Sequence, residues 1–145
     1  MSSILYKSGY KYQLHEKAIV ETSIIEYDIT TEFLNLSNTG KLTINAGYAW
    51  DGASGPIADT PNILRGSLYH DSLYQLMRLD LISADKYRKT ADELLKQTCL
   101  DDGVNSLIAA MIYAAVRTFG FKYTQSSSET NVLIAPNVDL QNANF

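Results

Sequence analysis

His70 and Asp71 stand side by side, and Asp92 follows twenty-two residues later. An imidazole beside a carboxylate gains a fixed tautomer and orientation, and the carboxylate stabilises the ring once it takes a proton. His70 with Asp92 is therefore a candidate base-plus-orienter pair for activating water. Asp71 is about 100° round the helix from His70 and must face elsewhere. Carboxylates together with loop carbonyls suit a hard cation such as calcium. Asp71 and Asp51 are the candidate ligands, with Trp50, Gly52, Ser54 and Gly55 forming the loop beside them. Tyr74 and Arg88 are further candidates at the same level. The plain alternative stays open: a buried His-Asp hydrogen bond that fixes helix register, and an Asp71 that holds loop amides without any metal.

These roles require two antiparallel helices. Thr60 can cap and Pro61 can open a first helix running to about Arg78, and Ser83 can cap a second that ends near Leu100. A connection centred at Leu81 leaves eleven residues on either side to His70 and to Asp92, so the two lie at one height. The same count sets Tyr74 against Arg88. A third helix begins at Asp101-Asp102-Gly103 and stops at Gly120, with Ala109, Ala110, Ala114 and Ala115 permitting close approach.

Before the helices, residues 10–46 favour strands. Tyr10, Tyr12 and Leu14 alternate, Ile24, Ile25, Tyr27 and Ile29 supply β-formers, and Asn38-Thr39-Gly40 makes a hairpin turn between Leu34-Leu36 and Leu42-Ile44. Residues 47–60 read as a glycine-rich loop. The expected fold is α+β, a small N-terminal antiparallel sheet followed by three packed helices. Residues 1–123 form one domain, and 124–145 form a C-terminal extension rich in Ser, Asn and Gln.

The 145 residues are 46% hydrophobic and 19% charged, as in ordinary globular chains. A net charge of -4 offers no positive field for phosphate backbones, so nucleic acid is not an expected partner. One cysteine, Cys99, excludes an internal disulfide and multi-thiolate zinc. No signal-peptide core opens the chain, and the apolar run from Val104 to Phe119 falls short of the roughly 20 residues of a transmembrane span.

The run Gly47-Tyr48-Ala49-Trp50-Asp51-Gly52-Ala53-Ser54-Gly55-Pro56, then His70-Asp71-Ser72-Leu73-Tyr74, then Arg88 and Ala91-Asp92, resembles a family of phage and prophage proteins of unassigned function. The likeness covers most of the chain up to about Gly120. It implies a phage origin and a place in the virion or the host cytoplasm. The glycine loop, His-Asp-x-x-Tyr and a later Asp are also distantly similar to secreted phospholipase A2. That resemblance implies His70 as base, Asp71 as calcium ligand, Asp92 as orienter and Trp50 to Gly55 as the carbonyl loop. The cysteines that flank the motif in that family are absent here, and a sheet replaces its N-terminal helix.

Two functions follow as expectations. One is a phage virion or accessory protein, tail-associated, with a hydrolase-like His-Asp pocket. Its C-terminal extension would engage other phage structural proteins or further copies of the chain. The other is a calcium-assisted hydrolase of bacterial envelope esters or amides, with His70 as general base. A His-Asp metal phosphohydrolase lacks the further histidine it needs, because only His15 remains and it falls in strand-like sequence.

Overall fold

The computed structural model describes residues 12–52 and 60–125. They divide between two units, the first ending at Asp51 and the second beginning at Gly52. Small antiparallel sheets precede three helices, an α+β arrangement.

In the first unit β2 (Ala18–Glu21), β5 (Lys41–Ile44), β4 (Leu34–Leu36) and β3 (Ile29–Thr30) form one antiparallel sheet in that spatial order. Alternation sends Leu34, Leu36, Leu42 and Ile44 to one face, and the register sets Leu34 opposite Ile44 and Leu36 opposite Leu42. Asn35 and Thr43 pair on the other face and stay half-buried. The β4–β5 turn closes at Gly40, whose φ of 89° and whose approach to the Thr22 carbonyl both exclude a side chain. Strand signal between Ile24 and Tyr27 is not realised. Ile24 is instead fully buried after a turn in which its amide bonds the Thr22 hydroxyl.

The segment after Gly47 departs from a pure loop. Ala49–Trp50 forms β6 and pairs antiparallel with β1, Tyr12–Gln13, placing Tyr12 opposite Trp50 with their rings 5.5 Å apart. An aromatic cross-strand pair outweighs the flanking glycines. Ser54, Gly55 and Pro56 lie outside the described residues, as do Tyr10 and the extension beyond Gln125.

The second unit is built on α1 (Pro61–Arg78), α2 (Ala84–Asp101), α3 (Ser106–Phe119) and a 3₁₀ turn at Phe121–Thr124. Pro61 opens α1, but the Thr60 hydroxyl does not cap it and bonds the Asn62 side chain instead. Asp80, at φ 59°, turns the chain between α1 and α2. Ser83 caps α2 through the Lys86 amide at 3.1 Å. The Arg65 guanidinium, near the start of α1, grips Asp102 just past the end of α2 at 2.8 and 3.0 Å, which defines the antiparallel hairpin. Gly66 lets the helices close, since a Cβ there would sit 3.2 Å from the Leu95 carbonyl and 3.3 Å from Cys99 Sγ.

Asp101-Asp102-Gly103 does not start α3. Gly103 takes φ 99° and ends α2, and Asn105 caps α3 by accepting the Ile108 amide at 2.9 Å. Ile63, Leu95, Cys99, Val104, Ala109 and Ile112 form the shared core of the three helices. No helix among the described residues is long and apolar enough to cross a membrane.

Candidate functional site

The α1–α2 hairpin places one functional pair from each helix at a single level. His70 and Tyr74 are four residues apart on α1, and Arg88 and Asp92 are four apart on α2, so each pair shares a helix face. His70 Nε2 lies 2.7 Å from Asp92 Oδ1, and the Tyr74 hydroxyl donates to the same oxygen at 2.6 Å. The two rings lie close, with centroids 4.1 Å apart.

Tyr74 thus bonds Asp92 while also lying against the Arg88 guanidinium, as the helix register predicts. The Arg88 guanidinium turns to the end of α3, where Nη1 donates to the Val116 carbonyl at 3.0 Å while standing 3.5 Å from Asp92 Oδ2. It caps the last carbonyls of α3 and adds positive charge beside Asp92.

Sequence reasoning missed Arg117. Its Nη1 donates to Asp92 Oδ2 at 2.7 Å, the closest contact on that oxygen. The signal was present, since Arg117 is the only charged residue in the otherwise apolar α3. Gly120 ends α3 as expected, as its C-cap, although its φ of -76° is ordinary. Space demands glycine there, because a Cβ would meet the Val116 carbonyl and lie 2.6 Å from the Tyr74 hydroxyl oxygen.

Asp92 has no exposed surface. Burial by itself would raise its pKa, yet hydrogen bonds from His70 and Tyr74, the charge of His70 and the bond from Arg117 together hold it below the usual carboxylate range. Burial likewise opposes a charge on His70, which is 7% exposed, but the carboxylates of Asp71 and Asp92 outweigh it and raise the imidazole pKa. Burial, and then the neighbouring Asp92, push the Tyr74 phenol up, so it remains a donor.

Asp71 and Asp92 occupy opposite edges of the imidazole. Asp71 Oδ1 lies 3.8 Å from Nδ1, an ion-pair distance beyond hydrogen-bond reach. Asp71 keeps a side chain about one-third exposed, a donor chemistry compatible with a hard cation. Among the described residues no three His, Cys, Asp or Glu side chains gather as a metal group. Asp51, Trp50 and Gly52 are described, with Trp50 buried in the first unit and paired to Tyr12. Ser54 and Gly55 lie outside the described residues.

In chemical terms, Nε2 is committed to the orienting carboxylate, and Nδ1 is the nitrogen left to exchange a proton. A raised imidazole pKa favours the protonated ring, which donates protons more readily than it abstracts them.

No protein-family model matches the chain, and no curated protein or solved structure matches it.

Proposed function

We propose that this chain is a phage virion or accessory protein, tail-associated, in which the His70–Asp92 cluster is a structural hub that retains hydrolase-like geometry. The observation carrying the structural half is the saturation of Asp92: a fully buried carboxylate takes hydrogen bonds from α1 and α3 and an ion pair from Arg88 on its own helix. Such a network specifies one packing of three helices, because each member left unpaired would be costly. Motif resemblance alone supports the phage half. Placement in the virion or the host cytoplasm belongs to the same proposal.

The alternative is calcium-assisted hydrolysis of envelope esters or amides, and one observation favours it. Nδ1 of His70 lies 3.8 Å from Asp71 Oδ1, while Nε2 is oriented by Asp92. In that reading His70 holds and passes the proton of a water, Asp92 fixes the ring, and Asp71 would help hold calcium, which would polarise the scissile carbonyl.

Purified full-length protein should be assayed on phospholipid vesicles and on peptidoglycan, with calcium and with chelator, beside His70→Gln. The hub reading expects no turnover in any arm. Calcium-dependent turnover that His70→Gln abolishes would transfer the assignment to the hydrolase. Mass spectrometry of purified particles from the encoding phage tests the other half. The chain should be found in particles, or its deletion should lower their yield; absence from particles together with an unchanged yield would remove the phage role.

A further inference from the structure

Helix α3 has two apolar faces, and among the described residues only one of them has a partner. Ala109 and Ile112 are buried, with Ile108 and Val116 packed beside them against α1 and α2. On the opposite side Leu107 is 69% exposed and Met111 50%, and Ala110, Ala114 and Thr118 are exposed between and beyond them. These positions step by three and four residues and so form one continuous stripe. Scattered exposed hydrophobes need no explanation, but a stripe along a whole helix does.

We propose that α3 packs antiparallel against α3 of a second copy of this chain, about a two-fold axis that crosses the helix between Met111 and Ala114. This inference is independent of the functional reading above.

Charge selects the occupant and its direction. The stripe carries no charge, since Arg117 is drawn back to Asp92. The segments flanking it are opposite in sign: exposed Asp101 closes α2 before the stripe, and exposed Lys122 follows it in the 3₁₀ turn. Antiparallel pairing brings each Asp101 toward the partner's Lys122, twice by symmetry, whereas parallel pairing would set like charges together. An anionic lipid surface would instead meet an acidic group at one end of the stripe.

Size agrees with charge. An axis midway between Met111 and Ala114 seats Met111 of one helix on the partner's Ala114, and Leu107 on the partner's Thr118. Each large side chain faces a small one, as ridge-into-groove packing requires. Parallel pairing would oppose methionine to methionine and leave the alanines facing each other across a gap.

Sedimentation velocity of the full chain over a concentration series tests this. A concentration-dependent dimer is expected. Met111→Glu should weaken it roughly 100-fold or more, because two carboxylates would be buried without partners, while circular dichroism stays unchanged at this exposed position. Asp101→Lys and Lys122→Asp should each weaken the dimer at low salt, and the double exchange should restore it. A chain monomeric at every concentration, a dimer indifferent to Met111→Glu, single reversals that the double does not rescue, or binding of anionic vesicles by a monomer would each overturn the proposal.

Discussion

Arg117 Nη1 donates to Asp92 Oδ2 at 2.7 Å, and through that bond the last turn of α3 is tied to the middle of α2. The other oxygen of the same carboxylate takes His70 at 2.7 Å and Tyr74 at 2.6 Å from α1. One buried anion therefore connects all three helices, and its removal would leave two arginines and an imidazole without their shared counter-charge.

Asp92→Ala should lower unfolding free energy by about 3–5 kcal/mol, the usual loss when one partner of a buried ionic network is deleted. Urea denaturation measures it. Arg117→Met should cost only roughly 1 kcal/mol, because solvent reaches and screens the arginine end. A loss below that at Asp92 would show that the network is not what holds the helices together.

Gly120→Ala tests the close approach of the 3₁₀ turn to Tyr74. Overpacking of this kind costs typically about 1–3 kcal/mol. Tyr74→Phe removes the hydroxyl that the new methyl would meet at 2.6 Å, so adding it to Gly120→Ala should recover part of the loss. The Val116 carbonyl still crowds the methyl, so recovery stays incomplete. Thermal unfolding of the two singles and the double reads the coupling, and strict additivity would contradict the geometry.

Stability should also follow pH on two sides. The depressed Asp92 pKa gives stabilisation that is complete above the unfolded carboxylate value of about 3.9 and disappears as pH falls through the lower folded value. The raised His70 pKa gives stabilisation that is complete below the unfolded imidazole value of about 6.5 and is lost as pH climbs through the higher folded value. His70→Gln should remove the upper limb and leave the acid limb in place. Proton NMR titration of His70 should place its midpoint above that of an unstructured peptide. A midpoint at or below the peptide value would mean that the flanking carboxylates do not prevail over burial.

Much of the helical frame is legible without coordinates, because Pro61, Ser83 and the spacing about Leu81 are local signals, and two helices on a short connection have one sensible register. That register is enough to bring His70 and Asp92 together. What the contact does chemically is a separate matter that register cannot reach. Arg117 stands out as the lone charge on α3, but its partner is not legible, because that depends on how the helix lies across the hairpin. Register also sets Tyr74 beside Arg88, but it does not show that the phenol donates to Asp92, the strongest acceptor within its reach. In the sheet, β-propensity marked Ile24 to Tyr27 but could not show that Ile24 would be buried from a turn. The pairing of Tyr12 with Trp50 joins residues far apart in sequence, which no local pattern reveals.

Buried along most of its length, α1 meets its last polar partner only when the chain has been made as far as Tyr123, whose carbonyl accepts from Arg78, and Asp92 on α2 waits for Arg117. A nascent or proteolysed fragment ending before Arg117 would leave Asp92 Oδ2 without its closest donor. The helical unit should accordingly assemble in a single concerted step near the completion of α3, and shortened fragments should be substrates for chaperones and proteases rather than miniature versions of the protein.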